Sequence, residues 1–160
     1  MPKTVKSIRE RIMETLVARL EAMGTPSYTF KITSVERRNI ELPEQPNTPS
    51  IYIYEGDETK DSGRSPNSYL CTLPIAIVYL ADDADPSTQL TTGNSMLEDV
   101  TRIVGADFIV ADENGKTQQV DMEELTNEVI TGDQNNSLIY VGVQFEVQYY
   151  HKRGDQSIVQ

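Results

Sequence analysis

The chain has 160 residues, 38% of them apolar, with 14 Lys/Arg against 25 Asp/Glu, one histidine, one cysteine and no tryptophan. Its net charge of −11 argues against general nucleic-acid binding, because an acidic surface repels phosphates instead of releasing their counterions. The lone Cys71 excludes an internal disulfide, and one cysteine with one histidine cannot by themselves fill a four-ligand zinc site.

The charge is unevenly spread. Residues 1–40 hold eight Lys/Arg and four Asp/Glu, a balance of +4, whereas residues 41–160 hold six and twenty-one, a balance of −15. Regions of opposite sign favour head-to-tail contact between copies; the plainer alternative is a solvated acidic surface. The opening MPKTVKSIRERI has no apolar run of the signal-peptide kind. No stretch approaches the ~20 apolar residues of a membrane span. A protein that stays in the compartment of its synthesis, with no membrane partner, is expected.

Val5, Ile8, Ile12, Leu16, Leu20 and Met23 recur every three or four residues. This predicts an amphipathic helix, capped by Thr4 and stopped by Gly24 and Pro26. Tyr28, Phe30 and Ile32 alternate with polar residues, as in a half-buried strand. Pro43, Pro46 and Pro49 impose an extended loop. Ile51 and Ile53 then alternate with Tyr52 and Tyr54 in a second strand. Residues 55–68, EGDETKDSGRSPNS, contain no apolar side chain, which predicts a long flexible loop. A strand follows from Tyr69 to about Leu80, with Cys71 as one of its small apolar residues and Pro74 marking an edge position or a bulge.

Asp85-Pro86 reads as a helix start, Leu90, Leu97, Val100 and Val104 as its buried side, and Gly105 as its end. Asn114-Gly115 between Phe108–Ala111 and Lys116–Val120 predicts a hairpin. Leu125 to Thr131 fits either a strand or a turn of helix. From Ile139 to Tyr150 the alternation is strict, with one apolar and one wet face. The tail 152–160 is polar and expected to be loose. The order predicts a single domain over residues 1–160 of α+β class: an antiparallel β-sheet with two helices packed on one face, plus a β-hairpin extension.

Signs of chemistry are few. His151 has no nucleophile motif such as G-x-S-x-G around it. The run Asp57 to Gly63 fails as a calcium loop, because Ser62 stands where glycine is needed and Ser68 where glutamate is needed. Asp82, Asp83 and Asp85 suit helix capping. No glycine-rich phosphate loop is present. Neither an enzyme nor a bound metal or cofactor is expected. What remains is surface: Tyr52, Tyr54, Tyr140 and Tyr150 occupy the positions opposite the apolar face, where tyrosine suits protein interfaces. They pack instead under loops or helices if that face is covered.

An amphipathic N-terminal helix, a proline-rich loop before SIYIYEGDE, the apolar strand LPIAIVYL ahead of a mid-chain helix, and a closing VGVQFEVQYYHKRGD form one series. Over about residues 5–155 this series resembles the tail-terminator (tail-completion) proteins of long-tailed bacteriophages; the hairpin at 108–120 has no clear counterpart there. The resemblance implies a non-enzymatic virion protein made in the bacterial cytoplasm. It would form a ring, usually of six copies, at the head-proximal end of the tail tube. The ring would stop tube growth and offer a docking face to the neck or connector, and in contractile phages to the sheath. DNA would pass its lumen without specific binding. Contacts would fall on the four tyrosines, on Glu55, Asp57, Glu58, Asp61 and Arg64 of the 55–68 loop, and on Asp112, Glu113, Asn114 and Lys116 of the hairpin tip. The alternative is a stopper or neck protein of the head–tail connection.

Overall fold

The computed structural model describes residues 5–39, 41–62, 65–132 and 135–159. Thr4 and Arg64 lie outside the described residues. Helix α1 (Ile8–Glu21) begins not at Thr4 but at Ser7, whose hydroxyl accepts the Glu10 N–H at 3.1 Å. Its stripe Ile8, Ile12, Leu16, Leu20 is fully buried, together with Met13, whereas Val5 precedes the helix and is 45% exposed.

The expected strand at Tyr28–Ile32 does not form. The chain turns there instead, with the Tyr28 N–H on the Gly24 carbonyl and the Thr29 N–H on the Asp99 carboxylate at 2.8 Å. The apolar side chains of that segment are anchors: Tyr28 lies under the Arg102 guanidinium, 4.5 Å from the ring centre, and packs on the core. Pairing starts later, with β1 (Ser34–Arg38), followed by β2 (Ser50–Glu55), the short β3 (Thr59–Asp61) and the long β4 (Ser68–Asp82). Helix α2 (Gln89–Gly105), β5 (Phe108–Ala111), β6 (Thr117–Ile130) and β7 (Leu138–Lys152) complete the chain. Residues 125–130 are therefore strand, not helix.

The sheet order is β1-β2-β4-β7-β6-β5, with β3 also on β4. The fold is α+β, but the sheet is mixed: β1 runs parallel to β2, and every other pair is antiparallel. A parallel neighbour needs a crossover, which the proline-rich segment supplies. Pro74 does not mark an edge. It sits in β4, between β2 and β7, where the missing N–H falls opposite the turn linking β2 to β3. Its carbonyl still accepts the Gly56 N–H at 2.8 Å. The predicted bulge lies instead on β6, between Glu124 and Thr126.

Both helices cover one face. Ile51, Ile53, Leu73, Ile77, Val141 and Val143 point at Ile12, Leu16, Val100 and Val104 in one buried cluster. The helices are tied by Arg19, whose guanidinium donates to the carbonyls of Ile103, Ala106 and Asp107 at the end of α2 and stacks on Phe108. Cations are favoured at that negative helix end. Helix α2 starts at Gln89, after a turn through Asp85 and Pro86, so Leu90 falls outside the buried stripe and is 61% exposed. Asp83 and Asp85 hold that turn, accepting from Thr88, Thr92 and Ser87. Among the described residues no helix is long and apolar enough to cross a membrane.

Gly93 sets how closely α2 approaches the sheet. A Cβ there would stand 2.4 Å from Val129 Cγ1 and 3.3 Å from Ile139 Cγ2. Gly93→Ala gains up to about 1 kcal/mol of helix propensity but overpacks a β-branched side chain with little freedom to turn away, at ~1–3 kcal/mol. A net loss is expected in urea unfolding, and Val129→Ala added to it restores stability.

Candidate interaction surface

The sheet face away from the helices is only partly covered. Tyr52, Val78 and Leu80 form a small buried patch under Leu42, with Tyr54, Leu138 and Tyr140 half-buried around it. Tyr52, expected on the surface, is 1% exposed: the proline-rich segment lies over it, and the Arg38 guanidinium stands 5.7 Å from its ring centre. Tyr54 and Tyr140 remain at the rim. Burial raises both phenols above their ordinary pKa, and Glu128 adds to the rise at Tyr140. The Tyr140 ring lies 3.0 Å from where a Cβ on Gly142 would sit. With Val78 opposite Gly142 and Ala76 opposite Gln144, this leaves a shallow groove of about 290 Å³ lined also by Glu128. A second groove of about 300 Å³ runs beside it, between Tyr54, Pro74 and Leu125.

The acidic edge of this face was not singled out from sequence. Strand β6 carries Asp121, Glu123, Glu124 and Glu128 and no Lys or Arg. Only Thr117–Val120 pair with β5, so the run from Asp121 to Ile130 is a sheet edge. No acid of β6 takes part in an ion pair among the described residues, whereas Glu10, Glu14, Glu36, Glu55, Glu58 and Asp99 do. Glu123 stands directly across from Glu146 on β7, a like-charge pairing that costs stability. Apolar side chains are exposed along the same side: Ile109, Leu125 and Ile130 are each at least half exposed, and Tyr150 is 40% exposed. Edge carboxylates block indiscriminate strand addition; mixed with exposed Leu and Ile they also select a cationic partner.

At the opposite edge the cations are largely spoken for. Glu55 accepts from Arg9 at 3.0 Å and from Arg37 at 2.5 Å, and Arg37 also reaches Glu10 at 2.7 Å. The hydrogen bond and charge of Arg37 hold the Glu10 carboxyl below its usual range. Glu55 is thus a fastener between α1 and the β1–β2 edge. Asp57 is exposed ahead of β3 and Asp61 is its exposed last residue, so residues 55–68 are not one continuous loop.

Glu58 turns inward. It accepts the Tyr149 hydroxyl and faces Lys60, and its carboxylate, the Cys71 thiol and a His151 ring nitrogen lie within 4.8 Å of one another. Register explains the meeting: Lys60 opposes Cys71, Cys71 opposes Tyr149, and Tyr69 opposes His151. Burial, then the neighbouring Glu58 charge, pushes the Cys71 thiol up to about 11. A period of two in three strands was visible in the sequence; the register that brings 58, 71 and 151 together was not.

At the hairpin tip Glu113, Asn114 and Lys116 are exposed, and Gly115 takes φ 80°. Asp112 is no surface residue: it is 4% exposed. Its Oδ1 accepts the N–H groups of Asn114 (2.8 Å) and Lys116 (2.9 Å), and its Oδ2 accepts that of Val159 (3.1 Å). The tail expected to be loose is therefore folded back, with Val159 buried, the Lys152 N–H on Ile158 and the Gln156 carbonyl accepting from Ile8. Burial alone would raise the Asp112 carboxyl. The Lys116, Asn114 and Val159 N–H groups outweigh it and hold the pKa below the ordinary value. A depressed carboxyl stabilises above its unfolded pKa and loses that contribution as pH falls through the folded one. Hydrogen exchange at the Val159 amide, corrected for its intrinsic rate, should therefore accelerate as pH is lowered below about 4, and Asp112→Ala should show it at neutral pH.

No protein-family model matches the chain, and no curated protein matches it by sequence. Its fold is similar to that of a chain in the virion of a native gene transfer agent (GTA) particle, with a TM-score of 0.50 and 14% identity over 89% of this chain and 93% of that one.

Proposed function

We propose that this chain is a structural protein of a phage-type virion, and within it a tail terminator. Copies form a ring, of six in the family it resembles, that caps the head-proximal end of the tail tube and receives the neck or connector. One observation carries the reading: the fold is shared along nearly the whole of both chains with a component of a gene-transfer-agent virion. The acidic, partly apolar edge of β6 supports it further. A ring needs a heterologous contact between unlike surfaces. The region of opposite sign on this chain is the N-terminal part, with a balance of +4 over residues 1–40, of which Arg9 and Arg37 are already engaged by Glu55. The grooved tyrosine face beside β6 extends the contact.

The test is light scattering coupled to size exclusion, on the chain alone and then with tail-tube protein, with tube lengths measured by electron microscopy. A ring mass, alone or on tube addition, together with arrested tube growth is expected. A persistent monomer without effect on the tube overturns the terminator role. Binding to the portal-side adaptor in place of the tube assigns the chain to the stopper or neck class.

A further inference from the structure

We propose that Glu58, Cys71 and His151 form a binding site for a divalent, borderline-soft cation of the zinc type. The assignment is independent of the virion reading. Three ligand atoms of three kinds, carboxylate oxygen, thiol sulfur and imidazole nitrogen, converge within 4.8 Å on the helix-covered side of the sheet. In a tetrahedral zinc site, bonds of ~2.0–2.3 Å place ligand atoms roughly 3–4 Å apart. Side-chain rotation of about 1 Å closes the difference.

The histidine supplies the second observation. His151 is 3% exposed, and its Nδ1 lies 2.9 Å from the Lys152 carbonyl. A carbonyl only accepts, so Nδ1 is the donor, and in the neutral ring Nε2 presents a lone pair. That Nε2 is buried and, among the described residues, has no hydrogen-bond partner. An orphaned buried acceptor is costly, and a ring whose other nitrogen donates to a carbonyl is the usual arrangement of a metal-bound histidine. Tyr69 packs edge-on against the ring, 5.7 Å between centroids, and holds its orientation.

Charge also fits. A divalent ion with one thiolate, one carboxylate and a neutral imidazole is neutral overall, binding releases the thiol proton to solvent, and Lys60, 3.5 Å from Glu58, would swing out toward solvent as the ion takes its place. Tyr149 already orients the Glu58 carboxylate. A cavity of about 230 Å³, lined by Ser7, Arg9, Lys60 and Gln156 as well as Glu58 and His151, adjoins the site and has room for a water as fourth ligand. Oxygen-seeking calcium and magnesium are disfavoured by the sulfur and nitrogen. The ion would clamp β4, β7 and the turn before β3, beside the point where the Gln156 carbonyl meets α1.

The experiment is titration of the metal-free full chain with Zn²⁺ by calorimetry, and with Co²⁺ by absorption. One equivalent of zinc, a thiolate-to-cobalt charge-transfer band and a raised melting temperature are expected, with no such response to Ca²⁺ or Mg²⁺. Losing a group that merely orients a metal ligand costs roughly 10- to 100-fold in affinity. Cys71→Ser and Glu58→Gln, each removing a ligand, are expected to lose at least as much. Glu58 is the less buried of the two, so Glu58→Gln guards against a Cys71→Ser variant that fails to fold. Absence of a charge-transfer band in the unaltered protein overturns the site, as does zinc binding unchanged in both variants.

Discussion

Glu123→Lys combined with Glu128→Lys is expected to break association between copies while leaving each copy folded. Both side chains are exposed on the outer edge strand β6, on the open face, and neither is ion-paired among the described residues. Exposed ion pairs contribute ~0.2–1 kcal/mol each. Reversal replaces each attraction with a repulsion, a swing of about 1–4 kcal/mol per interface for the pair. That is roughly one to three orders of magnitude in Kd. In a closed ring every interface carries the change, so the scattering mass should fall to that of the monomer at micromolar protein. The proposed ring should loosen with added salt, because exposed charges are screened beyond ~8–10 Å at physiological ionic strength. Within the monomer the Glu123–Glu146 repulsion becomes a Lys–Glu attraction, so unfolding should move slightly toward greater stability. An unchanged mass would place the ring contact elsewhere and leave the edge carboxylates as a guard against strand addition.

Local rules carried most of the fold. The spacing of Ile8, Ile12, Leu16 and Leu20, the Asn114-Gly115 turn and the alternation from Ile139 to Tyr149 each depend on near neighbours, and each element is where they place it. The misreadings have tertiary causes. Tyr28 and Phe30 alternate like a strand, but the segment is fixed by α2, with Arg102 over Tyr28 and Asp99 on the Thr29 N–H, 70 or more residues away. The parallel β1–β2 pair depends on where a proline-rich crossover lands, and Pro74 is tolerated inside the sheet because β2 and β3 leave a gap opposite it.

The surface was less legible than the core. Tyr54, Tyr140 and Tyr150 keep accessible positions, but Tyr52 is roofed over by a segment whose path no periodicity encodes. Glu55 and Asp112 looked like loop charges. One joins α1 to the β1–β2 edge and the other ties the tail to the hairpin. The signal for β6 was present, as four acids and no cation in fourteen strand residues. It points to a contact surface only once the strand is known to be an edge.

Leu16→Ala should produce the largest loss of stability of any change discussed. Leu16 lies mid-helix with 0% exposure, and truncating a buried leucine costs ~2–5 kcal/mol, lost transfer energy plus the cavity left behind. Against a typical total of ~5–15 kcal/mol this is a large fraction. A helix of 14 residues is marginal in isolation, so α1 owes its order to this stripe. The helix in turn carries Arg9 to Glu55, Arg19 to the end of α2, and the Ile8 N–H to Gln156. Loosening it therefore frees the tail and the β1–β2 edge together. The urea midpoint should fall with the m-value unchanged if unfolding stays two-state. Val5→Ala is the control: the sequence periodicity puts both residues on one stripe, but Val5 is 45% exposed and precedes the helix. Its loss should stay within ~0.5 kcal/mol. Equal losses at the two positions would mean that the helix begins a turn earlier and buries its whole sequence stripe.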